Sequence, residues 1–316
     1  MMKKFDVSVI GELNVDIILN RNDAFPVMGK EVLAKQMDIT LGSSSAIFAS
    51  NLCSLGAKVA FIGKLGQDHF GDIVMQSLKH SGIDTSAVKR EKDLTTGATI
   101  VLNFGEDRAM ITHPGAMEHL SAADIDWNII SDASHLHFSS FFIQEGIRKD
   151  IGDIFKEAKS LGLTTSFDMQ WDPAEKWDID LAAILPHVDI FLPNEAELLH
   201  ITRSSAVEEA IAQIAGLANI VVVKQGNKGS TSFCKGKTFF QPAFLNNDVV
   251  DAIGAGDSFN AGFIYKFIQH QPVATCQEFG NVIGAISTTA AGGTTAFNDK
   301  HNILKIAKEK FGYAGK

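Results

Sequence analysis

Short apolar runs alternate with helical patterns along most of this chain, and that alternation restricts the fold more than any other feature. Strands are expected at 5–11, 58–63, 97–103, 108–113, 134–139, 163–168, 188–192 and 219–224. Helices are expected at 44–55, 69–81, 145–161, 194–201, 205–215, 258–270, 275–290 and 299–311. The run "NIVVVK" (219–224) is apolar at successive positions, as strands covered on both faces are. The pattern predicts an α/β fold with a mostly parallel central sheet flanked by helices on both faces. With 316 residues, 45% of them hydrophobic, a core of that size can be buried. No repeat or linker divides the chain, so residues 1–316 are read as one domain.

Two regions break the alternation. Residues 14–40 are β-like with little helix, and 95–113 hold two β-like runs around "FGEDR" (104–108), a hairpin turn by composition. Together they are expected to form a small β-sheet standing over the carboxyl edge of the main sheet. Ligands bind at that edge in open α/β folds, and a lid there would keep water from a reaction.

The formal net charge is −9 and no Lys/Arg-rich run occurs, which argues against a nucleic-acid or anionic-membrane partner. No stretch of 18 uninterrupted apolar residues suggests a membrane span. The opening "MMKKFDVSVIGELNV" reads as a first strand and not a signal peptide. Cys53, Cys234 and Cys276 are too scattered for a disulfide or zinc pattern and fit reduced thiols in a cytoplasmic protein.

Several motifs carry candidate chemistry. Neither a P-loop nor a dinucleotide fingerprint is present: "GAGDSF" fails G-x-G-x-x-G at its last position. In "VVDAIGAGDSFNAGF" (249–263), Gly254 and Gly256 allow a tight turn whose N–H groups, with those of a helix expected from Ser258, favour an anion. Asp257 then either caps that helix or takes a proton from an attacking hydroxyl. In "LPNEAEL" (192–198), Asn194 and Glu197 have capping-box spacing, the favoured reading, although such a carboxylate can also hold water around magnesium. In "GELNVD" (11–16), Asn14 and Asp16 share a strand face, as polyol ligands or as a polar turn. "KQGNKG" (224–229) runs under a nucleotide or is an ordinary glycine turn, and "GKLGQDHFG" (63–71) reads as a structural loop. His135 and His137 share a strand face without a third ligand nearby, and the tryptophans of "WDPAEKW" (171–177) suit packing.

Taken together and in order, these segments resemble the ribokinase-like, or phosphofructokinase-B type, carbohydrate kinase family. The resemblance runs from "GELNVDIIL" through "FPVMGKEV", "IGKLGQDHFG", "THPGAM", "DIFLPNEAEL" and "VVVKQGNKG" to "VDAIGAGDSFNAGF", nearly the whole chain. It implies transfer of the ATP γ-phosphate to a hydroxyl of a small sugar or sugar-like substrate. Asp257 would be the base, with the backbone N–H groups of Ile253, Gly254, Ala255 and Gly256 as anion hole. Asn14 and Asp16 would hold substrate hydroxyls, with Gly42 allowing close approach. Asn194 and Glu197 would act near the phosphates and Mg2+, Glu197 indirectly. Lys224, Gly226, Gly229 and Asn281 would line the nucleotide. A monovalent cation, K+ in many members, would sit by Asp251, Ile253, Thr288, Ala291 and Gly293. The lid implies a homodimer.

The substrate loop departs from the family pattern. It reads "GSSSAI" (42–47), with Ser43 for the second glycine, Ser44 for the lysine of ribokinases and Ile47 for an asparagine; Ser139 stands where ribokinases carry a glutamate. Lost polar partners weaken a hydroxyl-specific site, so ribose is expected to be a poor substrate. Ile47, Phe48, Phe138, Phe141 and Phe142, if they face the pocket, would tolerate a nucleoside base or larger sugar. A nucleoside kinase and a non-catalytic sugar or nucleotide sensor are the alternatives. Lys30, Lys35 and Arg108 are candidate partners for a substrate phosphate.

Overall fold

The computed structural model describes residues 3–22, 24–104 and 107–315. Its strands are β1 (Phe5–Ile10), β2 (Asn14–Asn22), β3 (Ala34–Leu41), β4 (Val59–Gly66), β5 (Asp84–Glu91), β6 (Gly97–Phe104), β7 (Asp107–His113), β8 (Ala133–Ser139), β9 (Thr164–Asp168), β10 (Ile190–Phe191), β11 (Ile220–Lys224), β12 (Gly229–Cys234) and β13 (Lys237–Pro242). Its helices are α1 (Ser44–Ser54), α2 (His69–Ser81), α3 (Trp127–Ser131), α4 (Glu145–Arg148), α5 (Ile151–Ser160), α6 (Leu181–Ile184), α7 (Glu195–Thr202), α8 (Val207–Ile214), α9 (Ala255–Phe267), α10 (Val273–Ser287) and α11 (Ile303–Phe311).

The larger sheet runs β13-β12-β11-β10-β9-β8-β1-β4-β5, and its pairings are parallel except β11-β12 and β12-β13. The apolar run of β11 has the reason expected for it. Val221 and Val223 pack into the core on one face of the sheet and Val222 into the core on the other. Phe138, Phe141 and Phe142 belong to the first core and Phe48 to the second, where Phe48 stacks on His137 at 3.8 Å. These four rings therefore pack the interior, and of the apolar neighbourhood expected at the pocket only Ile47 lines it.

The differences from the expected elements have local causes. The helix expected over 145–161 is broken, because the Asp150 amide turns back to the Ile147 carbonyl at 2.9 Å. β5, β12 and β13 escape the pattern because their sequences, "DTSAVKRE", "GSTSFC" and "KTFFQP", lack an apolar run; they lie toward the sheet's two ends, where burial is incomplete. α9 begins at Ala255 and not at Ser258, since left-handed Gly254 (φ 70°) caps it.

The two segments without alternation do build a second sheet, β3-β2-β6-β7. The turn joining β6 to β7 includes Gly105 and Glu106, which lie outside the described residues. Strand pairing aligns Thr40, Asp16, Thr99 and Thr112 across this sheet on one face. One step along, Ile39, Ile17, Ile100 and Ile111 align on the other. The polar face looks toward the main sheet, and the Ile18 and Val101 side chains next to it pack on Ile253.

Candidate active site

Five adjacent parallel strands, β11-β10-β9-β8-β1, deliver polar groups at their carboxyl ends: Lys224, Asn194, Asp168, Ser139 with Ser140, and Glu12. Ligands gather at this edge because the strands leave it open between the connecting helices. A cavity of about 460 Å³ lies there, walled by Glu12, Asn14, Asp16 and Ser44 on one side and by Gln170 and residues 252–257 on the other. A second, more apolar cavity of about 310 Å³ lies between Phe244, Leu245, Phe259, Gly229 and Asn281. The two share Lys224, Gly226, Ala252, Ala255 and Gly256.

That shared wall is the turn into α9. Ile253 N–H donates to Asp251 Oδ1 at 2.9 Å, and Ala255 N–H reaches the Ala252 carbonyl at 3.3 Å. Among the described residues no acceptor takes the amides of Gly254, Gly256 or Asp257. Three orphan donors at a helix N-terminus form a ready anion site. The sequence expectation named residues 253–256; the structure leaves open the amides of Gly254 and Gly256, adds that of Asp257, and uses those of Ile253 and Ala255 internally. A Cβ on Gly254 would come within 2.8 Å of the Gly293 backbone and 3.0 Å of Ile47. Asn51 Nδ2 holds both Ser258 Oγ and the Gly293 carbonyl at 2.9 Å, fixing the turn from behind.

Asp257 lies in the first turn of α9 and does not cap it. Its Oδ1 accepts from Gln170 Nε2 at 3.0 Å. Burial, then the nearby Asp168 carboxylate, push its carboxyl up to about 7, against the opposing pull of Lys224. Asp168 is fully buried, and its Oδ2 accepts from Lys224 Nζ at 2.7 Å, Asn260 Nδ2 at 2.5 Å and Gln170 Nε2 at 3.0 Å. Burial alone would lower the Lys224 pKa, but Asp168 and Glu197 outweigh it and raise it. Glu197 completes the expected capping box: Asn194 Oδ1 accepts from Glu197 N at 2.8 Å, and Glu197 Oε2 from Asn194 N at 2.9 Å. Burial and Asp168 push the Glu197 carboxyl up to about 7.

On the lid, Asn14 Nδ2 donates to Asp16 Oδ1 at 3.1 Å and Thr99 Oγ1 at 2.9 Å. Burial raises the Asp16 carboxyl to about 6, with Arg108 acting against the shift. Of the three candidate cations on the lid only Arg108 lines the cavity. A Cβ on Gly42 would collide with Asp16 Oδ1 and Asn14 Nδ2, so the close approach read from the sequence is made to these side chains. Ser43 holds φ 72°, a conformation suited to glycine, and caps α1 through Ala46 N at 3.0 Å.

The other candidates, Trp171 excepted, lie away from the surface of the first cavity. Ser139 lies one layer behind it, its hydroxyl 2.6 Å from that of Ser45. Asn281 and Gly229 border the second cavity, but Asn281 Nδ2 already donates to the Gln241 and Pro242 carbonyls at 3.2 Å. Asp251 bridges Ile253 and Gly292 amides at 2.9 Å, and Thr288 and Gly293 carbonyls accept from Val250 and Asn51; Ala291 is exposed. His135 and His137 both bond Ser166 Oγ at 2.7 Å, deep in the sheet. Trp171 packs edge-on against Trp177 and His200 while also bordering the first cavity.

Sequence reasoning missed Glu12, Asp168 and Gln170. Glu12 and Asp168 stand at the ends of the strands expected at 5–11 and 163–168, the one signal that marks them. Gln170, at φ 59°, has none.

Comparison with known proteins agrees with this geometry. The description "pfkB family carbohydrate kinase" matches residues 4–300. An uncharacterized sugar kinase of Archaeoglobus fulgidus is 30% identical over 74% of this chain and 92% of its own. A 5-dehydro-2-deoxygluconokinase of Lacticaseibacillus casei is 28% identical over 90% of each chain. A solved E. coli structure described as a putative ribokinase II in complex with ATP and Mg2+ superposes with TM-score 0.83 at 25% identity, covering 96% of this chain and 99% of the other. The family match spans nearly the whole length, and the chain belongs to the pfkB family of carbohydrate kinases.

Proposed function

We propose that this kinase transfers the γ-phosphate of ATP to a hydroxyl of a small sugar-like substrate, with the acceptor in the first cavity and the nucleotide in the second. The observation that carries this is their shared wall, where orphan amides and Asp257 meet. The acceptor oxygen forms a bond to the γ-phosphorus as the bond to the ADP oxygen breaks. Asp257 receives the hydroxyl proton, and the amides of Gly254, Gly256 and Asp257 hold the charge on the phosphoryl oxygens. A carboxyl near 7 is well matched to this proton transfer at neutral pH. Lys224, Gly226, Gly229 and Asn281 border the nucleotide. Ile18 and Val101 press the lid on Ile253, which excludes water from the transfer.

Asp168, Glu197 and Asp257 share one nearby cation, Lys224, a surplus of negative charge that suits Mg2+ held through water near Asn194 and Glu197. Bound there, the ion would neutralise phosphate charge. The loops joined by Asp251 are the proposed place for K+, through carbonyls of Ile253, Thr288, Ala291 and Gly293.

The chain is proposed to act as one unit in the cytoplasm, and as a homodimer through the lid. Supporting that, Ile39, Ile100 and Ile111 on the outer face are 43%, 40% and 67% exposed, an apolar stripe of the kind that marks interfaces. Ribose is proposed to be a poor substrate, because Ser44 and Ile47 offer it no charged partner. The test is ADP release with Mg2+ and K+ across ketoses, aldoses, sugar acids, sugar phosphates and nucleosides. One acceptor well above the ATP-only background supports the kinase. A flat panel with ATP binding intact supports the sensor reading.

A further inference from the structure

Glu12 is a buried carboxylate, 2% exposed, that lines the acceptor cavity and is used by none of the chemistry above. Local structure is spent on seating it. Its Oε1 accepts from Ser45 N at 3.1 Å, its Oε2 from Ser45 Oγ, and its backbone carbonyl from Ser43 Oγ at 2.5 Å. A Cβ on Gly11 would overlap Ser45 Oγ, so glycine before Glu12 is what lets Ser45 reach the carboxylate. Ser43 already caps α1, so the helix start does not require a second, buried acid. Burying a carboxylate for packing alone is costly.

The charges facing it are informative. The cavity wall carries four carboxylates, Glu12, Asp16, Glu197 and Asp257, against two cations, Lys224 and Arg108. Lys224 is committed to Asp168 at 2.7 Å. Arg108 acts on Asp16 from β7 of the lid. Beside Glu12 the wall offers serine and asparagine, Ser43, Ser44, Ser140 and Asn14. A carboxylate has about four acceptor sites, more than the donors from Ser45 and Ser140 occupy. Burial holds the Glu12 carboxyl above its usual range, so this end of the cavity accepts hydrogen bonds from hydroxyls and, as its carboxyls ionise, repels anions.

We propose that Glu12 is a specificity-determining residue, which accepts a hydrogen bond from a substrate hydroxyl other than the one phosphorylated and excludes carboxylate and phosphate groups from that end. The acceptor class is then an uncharged polyhydroxylated compound, a free sugar, polyol or nucleoside, in preference to sugar acids and sugar phosphates. This rests on the kinase reading above.

The test has two arms. In the wild-type protein, kcat/KM is compared within matched pairs: an aldose and its aldonic acid, a ketose and its phosphate. The uncharged member is expected to win by at least about 100-fold, the scale on which a mismatched buried polar group discriminates. In Glu12→Gln, KM for the best uncharged acceptor is expected to rise about tenfold or more, the worth of one charge-assisted hydrogen bond. The loss should fall mainly on KM, with KM for ATP unmoved, and the penalty on the charged members should shrink. Wild-type preference for a sugar acid or phosphate overturns the proposal without any variant, while leaving the kinase reading intact. So does a Glu12→Gln protein whose acceptor KM and charge preference match the wild type. If Glu12→Gln fails to fold, the wild-type pairs decide alone. A wild-type panel silent with every acceptor overturns both readings together.

Discussion

Asp257→Asn should make the protein a poorer enzyme and a more stable one. The substitution keeps shape and keeps an oxygen for Gln170 Nε2 to reach, at 3.0 Å in the wild type. As base the residue is expected to contribute about 10²- to 10⁴-fold to kcat. The stability effect follows from its carboxyl being displaced from 3.8 to about 7 by burial and by Asp168. That displacement corresponds to roughly 4 kcal/mol against the ionised form. The sign follows from linkage. The raised folded-state pKa gives stability that is present below 3.8 and is lost as pH rises through about 7, so at pH 8 the wild type bears the full penalty. That penalty is already net of the Lys224 attraction; relaxation absorbs part of it, leaving a gain of about 1–3 kcal/mol at pH 8. Denaturant unfolding at several pH values, beside ADP release, measures both effects. The gain should be level above pH 7 and shrink steadily from there toward pH 4. A variant less stable than wild type at pH 8, or one retaining kcat within about tenfold, would refute the reasoning.

Three further outcomes follow from the geometry. Gly42→Ala drives a Cβ into Asp16 Oδ1, so steady-state kinetics should show acceptor KM rising about tenfold or more while KM for ATP holds. Lys224→Met leaves Asp168 buried with only Asn260 and Gln170 to satisfy it; urea unfolding should lose about 3 kcal/mol, and a loss below 1 would mean the cation is not what holds that carboxylate. Ile100→Glu with Ile111→Glu places charges on the outer stripe of the lid; light scattering should show the mass halve, and a wild type already monomeric at micromolar concentration ends the lid-dimer proposal.

The fold was legible where burial imposes a repeat. β11, covered on both faces along its middle, must be apolar there at successive positions, and Val221, Val222 and Val223 announce it. β12 and β13 are just as regular in backbone, yet "GSTSFC" and "KTFFQP" answer to one-sided and partial burial. Their antiparallel pairing is set by the turn at Lys235 and Gly236, both at positive φ, a feature that carries no hydrophobic period. The start of α9 was misplaced for a related reason. Cap preferences point to a side chain such as that of Asp257, whereas Gly254 caps through its backbone conformation and offers no side chain to read.

The site divides along the same physical line. Geometry that depends on neighbours in sequence could be read: the orphan amides belong to one turn, and Asn194 with Glu197 to one capping box. Geometry that depends on a partner brought in by the sheet could not. Asp168 matters because Lys224 is 2.7 Å away, 56 residues later, and Asn260 is 2.5 Å away, 92 residues later. The same holds for the apolar rings: phenylalanines at 138, 141 and 142 read alike as pocket or core until the faces of β8 are known. Glu12 shows the converse. The sequence suggests a carboxylate lost from the acceptor site at Ser139, while the structure supplies one from the neighbouring strand, β1, through Ser45.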